Sequence, residues 1–352
     1  MSSEGVQQRD TGIDLCRIFA CFSLLPFHYC TYGQLGASEA YLYSGEIVKT
    51  LFGFHVPLFL MISGALFMGR DQIDIKRLYT RNILKLVYVY IFWSVIYSIF
   101  DVILNYQNIT DIKNLVIWIV MDIRDSHYHL WYLPMIIGIY ILIPIMHSAF
   151  GGGKNREILK YAVTVFAVFG VVIYTLLLIP VGVDTYEIML KKIDVGTFAG
   201  WMGFFLTGYY LYSVRFDLKP KTMRNCIIAS AISIVVTVIA NLGKVDTEGI
   251  NSYLSYFSLP CVIVECTLFL LFVRGNYDSL RRKEFIGRVA DCMLGVYCMH
   301  DLVMSLVHMI FSFIPDGLFI IRMIIVTVIS FILCTVIVMG LRKSIIMKRI
   351  AV

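Results

Sequence analysis

Apolar stretches of about twenty residues recur along the chain, and short polar segments separate them. A helix needs about twenty predominantly apolar residues to cross the hydrocarbon core of a bilayer. The shortest of the runs, within residues 110–122, is too short to span and predicts a half-helix or an interfacial helix. The others predict about ten membrane-spanning helices, at residues 12–35, 47–68, 82–106, 129–149, 157–180, 196–214, 223–242, 250–273, 286–313 and 317–342.

Lysine and arginine residues are concentrated in alternate loops between these spans. The rich set lies within residues 70–85, 154–160, 215–224, 274–288 and 342–349, whereas the other loops hold few basic residues. Because cytoplasmic loops carry the excess of positive charge, the rich set is predicted to be cytoplasmic. An even number of helices then places both termini in the cytoplasm.

Composition agrees with a membrane protein. Of the 352 residues, 59% are hydrophobic and only 15% are charged, and the mean hydropathy is +0.79. We therefore expect an all-α integral membrane protein with a polar tail at 1–11, a membrane domain at 12–342 and a basic tail at 343–352. The net charge of +6 follows from the topology and calls for no nucleic acid partner. None of the nine cysteines forms a Cys-x-x-Cys pair, so we expect no metal site.

Two ionisable residues share one face of the first predicted helix. Arg17 and His28 are eleven residues apart, which on an α-helix returns the second side chain to within about 20° of the first. The rise between them is roughly 16 Å. Ionisable residues inside a membrane are costly and are often functional, although an arginine near a helix end also snorkels to the headgroups.

Further histidines fall in the outer half of the predicted topology. His55 enters the second span from outside, His129 opens the fourth, and His300 lies in the upper part of the ninth. Pro26 and Pro57 predict kinks beside His28 and His55. Kinked membrane helices are tolerated where they line a cavity, so the pattern favours a pocket next to His28.

Taken in order, these motifs resemble the acyltransferase 3 family of bacterial membrane O-acyltransferases. The resemblance lies in the Arg17–His28 stripe and in the segments 56–64, 76–85, 129–133, 203–211 and 296–300, and it covers nearly the whole membrane domain. It implies a stand-alone enzyme of the bacterial cell membrane, without the soluble hydrolase-like domain of some relatives. The family's two arginines before the third helix are three residues apart, whereas Arg77 and Arg81 are four apart here.

The resemblance also implies a reaction. An acyl group, usually acetyl, would pass from cytoplasmic acyl-coenzyme A to a hydroxyl of a cell-surface glycan, a lipid-linked sugar or a similar acceptor. His28 and His300 are the candidate catalytic residues, with His28 as a general base or as the acyl-carrying nucleophile. The candidates for binding the donor phosphates are Arg17, Arg77, Arg81 and Lys85. Those for binding the acceptor are His55, His129, Trp131 and Tyr132.

Several alternatives stay open at this stage. Asp301 or Glu265 would supply an orienting carboxylate, and Trp131 and Tyr132 are equally expected in an interfacial aromatic belt. A transporter of a small polar solute such as serine is the rival class, because kinked helices with ionisable residues at the midplane suit transport too. A purely structural membrane partner is the third interpretation, and a homo-oligomer is compatible with all three.

Overall fold

The computed structural model describes residues 9–30, 39–104, 127–178, 182–243 and 256–351, together with helical positions 113, 116–117 and 120–121. Within these residues the secondary structure is helical, and no strand is formed. The first seven helices are α1 Thr11–Tyr29, α2 Glu39–Phe52, α3 His55–Met68, α4 Leu84–Leu104, α5 Tyr132–Phe150, α6 Arg156–Val165 and α7 Ile173–Leu178. The next eight are α8 Gly182–Ile193, α9 Trp201–Val214, α10 Pro220–Leu242, α11 Leu259–Arg274, α12 Lys283–Ala290, α13 Met293–Ile310, α14 Phe319–Leu341 and α15 Ile345–Ile350.

Short helical pieces extend several of these helices. A turn at Ile75–Arg77 and a π-helical segment at Leu78–Ile83 lead into α4, and a second π-helical segment at Phe166–Val172 joins α6 to α7. A single turn at Gly196–Ala199 precedes α9, and a 3₁₀ turn at Asp316–Leu318 precedes α14.

The protein is an all-α membrane protein, as the hydropathy pattern predicts. Among the described residues, seven helices or helix pairs are long and apolar enough to cross a bilayer: Tyr41–Met68, Ile75–Ile103, Tyr132–Phe150, Arg156–Leu177, Pro220–Leu242, Met293–Ile310 and Asp316–Leu341. The predicted first, sixth and eighth spans correspond to α1, α9 and α11, which have 19, 14 and 16 residues. The total of ten spans and the side of the termini stay predictions, and most of segment 110–122 lies outside the described residues.

The break in the second predicted span lies earlier than the proline suggests. Helices α2 and α3 are separated at Gly53 and Phe54, and α3 then runs without interruption through Ser63 and Gly64. Pro57 occupies the first turn of α3, where a missing backbone N–H costs no intrahelical hydrogen bond. The break places His55 at the start of a helix that faces α1.

Helix α1 is the central element of the bundle. It contacts α2, α3, α11, α12, α13 and α14. Its small residues Cys16, Ala20 and Cys21 are fully buried, which allows these neighbours to pack closely around it. Groups on opposite ends of α1 therefore meet different sets of helices.

Helices α3 and α9 pack closely because each presents a glycine to the other. A Cβ on Gly64 would lie 1.8 Å from the carbonyl oxygen of Phe205, and a Cβ on Gly208 would lie 2.2 Å from the Cα of Met61. Neither contact leaves room for a methyl group. This contact between small residues holds α3, and with it His55, in place.

Charged groups tie the N-terminal end of α1 to α12 and α14. Arg9 forms ion pairs with Asp14 and, at 2.7 Å, with Asp291. Arg9 donates hydrogen bonds to the two carboxylates, and these bonds raise the pKa of Arg9 above its ordinary value. Arg342, after α14, reaches the same Asp291 at 3.5 Å. Asp14 also lies 3.9 Å from Arg17, so this network borders the Arg17 end of the stripe.

Candidate functional site

Five histidines meet at the end of α1 opposite Arg17. We define the histidine cluster as His28 of α1, His55 of α3, His300 of α13, and His127 and His129 before α5. The ring centre of His28 lies 5.9 Å from that of His55, 6.4 Å from that of His129 and 5.3 Å from that of His300. The four histidines predicted from the sequence to lie in the outer half are therefore in contact or nearly so, and all four are buried.

The hydrogen bonds of His300 assign its tautomer. Its Nδ1 atom lies 2.6 Å from the carbonyl oxygen of Tyr297. Because a carbonyl only accepts, Nδ1 carries the proton and Nε2 carries a lone pair. The Nε2 atom is buried and has no hydrogen-bond partner among the described residues. His300 thus presents an unprotonated nitrogen inside the cluster.

A second pair of histidines is linked to a carboxylate. The Nε2 atom of His129 faces the carbonyl oxygen of Cys298 at 3.4 Å, and its Nδ1 therefore accepts from Nδ1 of His127 at 2.9 Å. Nε2 of His127 lies 3.6 Å from a carboxylate oxygen of Asp301. The hydroxyl of Tyr128 donates to the other oxygen of Asp301 at 2.7 Å. These contacts form a series of polar side chains that runs from the carboxylate of Asp301 through His127 to His129, at the edge of the His28 site.

Tyr128, which is hydrogen-bonded to Asp301, also contacts the ring of His28. The two rings are 5.1 Å apart in an edge-to-face arrangement. Asp301 is thus the carboxylate that the structure brings near His28, through one tyrosine. Glu265, the other acid considered from the sequence, lies on α11 and lines a separate cavity.

The donor atoms of His127, His129 and Asp301 lie within 4.8 Å of one another. Two histidines and one carboxylate at this spacing are also compatible with a divalent metal. In the structure the two Nδ1 atoms instead share the hydrogen bond described above, so neither of them is free to bind a metal in this arrangement. The sequence-based expectation of no metal stays a prediction.

Four cations line a cavity of about 450 Å³ at the Arg17 end of α1. We call it the basic cavity; its lining includes Arg17, Arg70, Lys85, Arg342, Tyr132 and Tyr297. The four cations come from α1, the end of α3, the start of α4 and the end of α14. They form a site with the charge and donor groups that phosphates require.

Tyr297 connects the basic cavity to the histidine cluster. Its ring lines the cavity and lies 5.7 Å from that of Tyr132. Its hydroxyl donates a hydrogen bond to the carbonyl oxygen of His129, and its ring centre is 6.3 Å from that of His300. The cavity therefore runs from a cationic end to a wall that directly contacts the histidines.

The structure separates the residues predicted from the sequence into two groups. Arg17, Lys85 and Tyr132 line the basic cavity, and His28, His55, His129 and His300 form the cluster. The other three predicted residues lie apart. Arg77 precedes the π-helical segment before α4 and Arg81 lies within it, and neither is part of the cavity lining. Trp131 packs against Trp201, with ring centres 5.4 Å apart. Their assigned roles stay predictions.

Four further residues of the site were not predicted from the sequence. Arg70 and Arg342 occur among many basic loop residues, and only the packing of helix ends selects them. His127 lies two residues before His129, in the aromatic segment 127–132, and this closeness to a predicted site residue was the available signal. Tyr297 lies three residues before His300, and this spacing on one helix was the available signal.

The fold and site thus define a multi-pass helical membrane protein with a cationic cavity on one side of a buried histidine cluster. The chain matches the acyltransferase 3 family, described as an acyltransferase domain, over residues 10–339. It belongs to that family, and the family indicates acyltransferase activity in general.

One curated relative is distantly similar to this chain. An amino-acid racemase from Enterococcus faecalis is 26% identical over 333 residues, which cover 88% of this chain and 43% of that protein. The chain therefore spans less than half the length of that relative. No solved structure matches the chain significantly.

Proposed function

We propose that the protein is a membrane O-acyltransferase that uses cytoplasmic acyl-coenzyme A, most simply acetyl-coenzyme A, and acylates a hydroxyl of an acceptor on the opposite side of the membrane. The observation that carries the proposal is the basic cavity, which has four cations at one end and Tyr297 in contact with the histidine cluster at the other. A donor with a phosphate-rich end and a long neutral arm fits that division.

The length of α1 suits this donor. Arg17 and His28 are separated by a rise of roughly 16 Å along the helix, a length of the same order as a pantetheine arm. The phosphates would bind Arg17, Arg70, Lys85 and Arg342. The thioester would then lie near Tyr297, next to His28 and His300.

His28 is proposed as the general base. It takes the proton from the acceptor hydroxyl as the oxygen attacks the thioester carbonyl. The C–S bond breaks, a C–O ester bond forms, and the proton passes on to the departing coenzyme A thiolate. The free Nε2 lone pair of His300 supports this assignment, because it offers a second acceptor for the proton beside His28.

Cell-surface glycans and the lipid-linked sugars from which they are built are exposed outside the cytoplasm. The proposal therefore places the protein in the bacterial plasma membrane. A glycan or lipid-linked sugar remains the proposed acceptor class. The aromatic rings around the cluster, including those of Tyr128 and Tyr132, have the flat apolar faces on which sugar rings stack.

The proposal is tested by determining from which side of the membrane the protein uses the acyl donor. Radiolabelled acetyl-coenzyme A is supplied to inverted and to right-side-out vesicles that contain the protein. We expect binding and thioester consumption in inverted vesicles only. Equal consumption in both preparations, or none in either, would overturn the proposed arrangement.

Transport of a small solute is the second candidate. The histidine cluster contacts Tyr297 of the basic cavity and Tyr256 of a second cavity near Glu265. A group of ionisable residues between two cavities also suits alternating access. Uptake of radiolabelled serine into proteoliposomes without any acyl-coenzyme A would favour transport. Coenzyme A release that depends on the acceptor would favour the enzyme.

A further inference from the structure

A second cavity lies beside α1, along the part of the helix between Phe19 and Phe27. Its volume is about 300 Å³, and its lining includes Phe27, Lys49, Asn241, Tyr256 and Glu265. We call it the Glu265 cavity. Its lining shares no residue with that of the basic cavity. The proposed donor site makes no use of it.

The histidine cluster borders this cavity on one side. The hydroxyl of Tyr256 lies 3.3 Å from Nε2 of His55. Nδ1 of His55 donates to the carbonyl oxygen of Phe52 at 3.3 Å, so Nε2 accepts from the tyrosine. Phe27 contacts His55 with ring centres 4.9 Å apart. A molecule in the Glu265 cavity would therefore lie one aromatic side chain from the His28 site.

The carboxyl group of Glu265 is the feature that indicates a ligand. The residue is 1% exposed and lies six positions inside α11. Its Oε2 atom is buried and forms no hydrogen bond with any described residue. A buried carboxylate without a partner is costly, whereas a cation brought next to it recovers much of that cost. The group is thus suited to pair with an ammonium ion.

The rest of the cavity limits the ligand further. Its walls are mainly apolar, and several are aromatic, so the ligand needs a compact apolar or ring-shaped body. The amide of Asn241 and the hydroxyl of Tyr256 supply neutral hydrogen-bonding groups. The ammonium group of Lys49 lies 5.9 Å from the ring centre of Phe27, and it disfavours a ligand with a second positive charge nearby.

We propose that the Glu265 cavity holds the acyl acceptor, and that the unit held there is a small amino alcohol, such as an amino sugar of a glycan, whose ammonium group pairs with Glu265 and whose hydroxyl faces the histidine cluster. The proposal rests on the proposed acyl transfer for the role of the hydroxyl. The ammonium group is a binding handle and is not acylated. Amino sugars and hydroxylated amino acids both belong to this chemical class.

Binding to the protein in nanodiscs tests the inference without an acyl donor. Calorimetry compares two matched pairs, glucosamine against glucose and ethanolamine against ethylene glycol, in which an ammonium group replaces one hydroxyl. We expect the amine of at least one pair to bind at least tenfold more tightly than its alcohol. Equal binding within both pairs, or no binding of any probe, overturns the inference.

Variants then locate the site. Glu265→Gln should remove the preference for the amine, whereas the exposed Glu157→Gln should preserve it. A preference that survives in Glu265→Gln places the amine elsewhere and overturns the proposal. The comparison of the four probes on the unaltered protein stands even if the Glu265 variant fails to fold. Amine binding without any acyl transfer would overturn the proposed function and leave the amine site in place.

Discussion

Nδ1 of His300 donates a hydrogen bond of 2.6 Å to the carbonyl oxygen of Tyr297, three residues earlier on the same helix. The bond holds the imidazole in one tautomer, in which Nε2 is unprotonated and carries a lone pair within the histidine cluster. Tyr297 in turn lines the basic cavity and binds the backbone of His129. One turn of α13 therefore connects the proposed donor site to the histidine cluster.

This geometry leads to a prediction for His300. An asparagine places its amide N–H near the position of Nδ1, so His300→Asn keeps the bond to Tyr297 but removes the free ring nitrogen. Loss of an acid–base group commonly costs about 10²- to 10⁴-fold in rate. We expect a loss of this order in acyl transfer, with unchanged thermal stability. Full turnover in the asparagine variant would limit His300 to a packing role.

The proposed base makes a separate prediction. His28→Ala should reduce acyl transfer by about 10²-fold or more and leave the protein folded. His308→Ala is the matched control, because His308 binds Tyr29 at 3.1 Å outside the cluster. Retained turnover in His28→Ala would exclude the base. Mass spectrometry after incubation with acyl-coenzyme A alone distinguishes the two chemical roles, since only a nucleophile becomes acylated.

The basic cavity predicts which cations bind the donor. Arg17→Ala and Lys85→Ala should each weaken acyl-coenzyme A binding about 10- to 150-fold, because a charge-assisted hydrogen bond contributes about 1.5–3 kcal/mol. Arg77→Ala should have a smaller effect, since Arg77 is not part of the cavity lining. Titration of the donor measures all three variants, with the surface residue Arg156→Ala as the control. A larger loss for Arg77 than for Arg17 would place the phosphates at the π-helical segment before α4.

Arg9 and Arg17 share the carboxylate of Asp14, which predicts that Arg9 helps to position Arg17. Arg9→Ala frees Asp14, which already lies 3.9 Å from Arg17, to draw that guanidinium away from the cavity. Loss of the exposed pair with Asp291 should cost about 1 kcal/mol of stability or less, and the loss of a partner for the buried Asp14 adds to that cost. We expect a lower melting temperature together with weaker binding of acyl-coenzyme A. Exposed Lys221→Ala should change neither measurement; unchanged donor affinity in Arg9→Ala would remove this positioning role.

The close contact of α3 with α9 predicts a stability effect. Gly64→Ala and Gly208→Ala each force a methyl group against backbone atoms of the other helix. Overpacking of this kind typically costs about 1–3 kcal/mol. The matched control is Gly138→Ala in α5, since a Cβ there meets nothing within 4 Å. Unfolding of the protein in detergent measures the three variants; equal stability of all three would contradict the close packing.

The linear sequence was sufficient to predict the helical membrane class and the shared face of Arg17 and His28. Both follow from local periodicity, because helix geometry relates residues eleven positions apart whatever lies around them. The gathering of His55, His129 and His300 around His28 was predicted only as a shared depth in the membrane. The structure brings them into contact through α1, α3 and α13.

Tertiary packing alone decided the remaining parts of the site. Arg70 and Arg342 line the basic cavity because the ends of α3 and α14 meet beside α1, and no sequence spacing relates two residues so far apart. The same holds for the chain from Asp301 through His127, which joins α13 to the segment before α5. The sequence by itself determined which helices form and which faces are polar. Only the packing of those helices determined which polar groups face a common space, since that depends on contacts between distant segments.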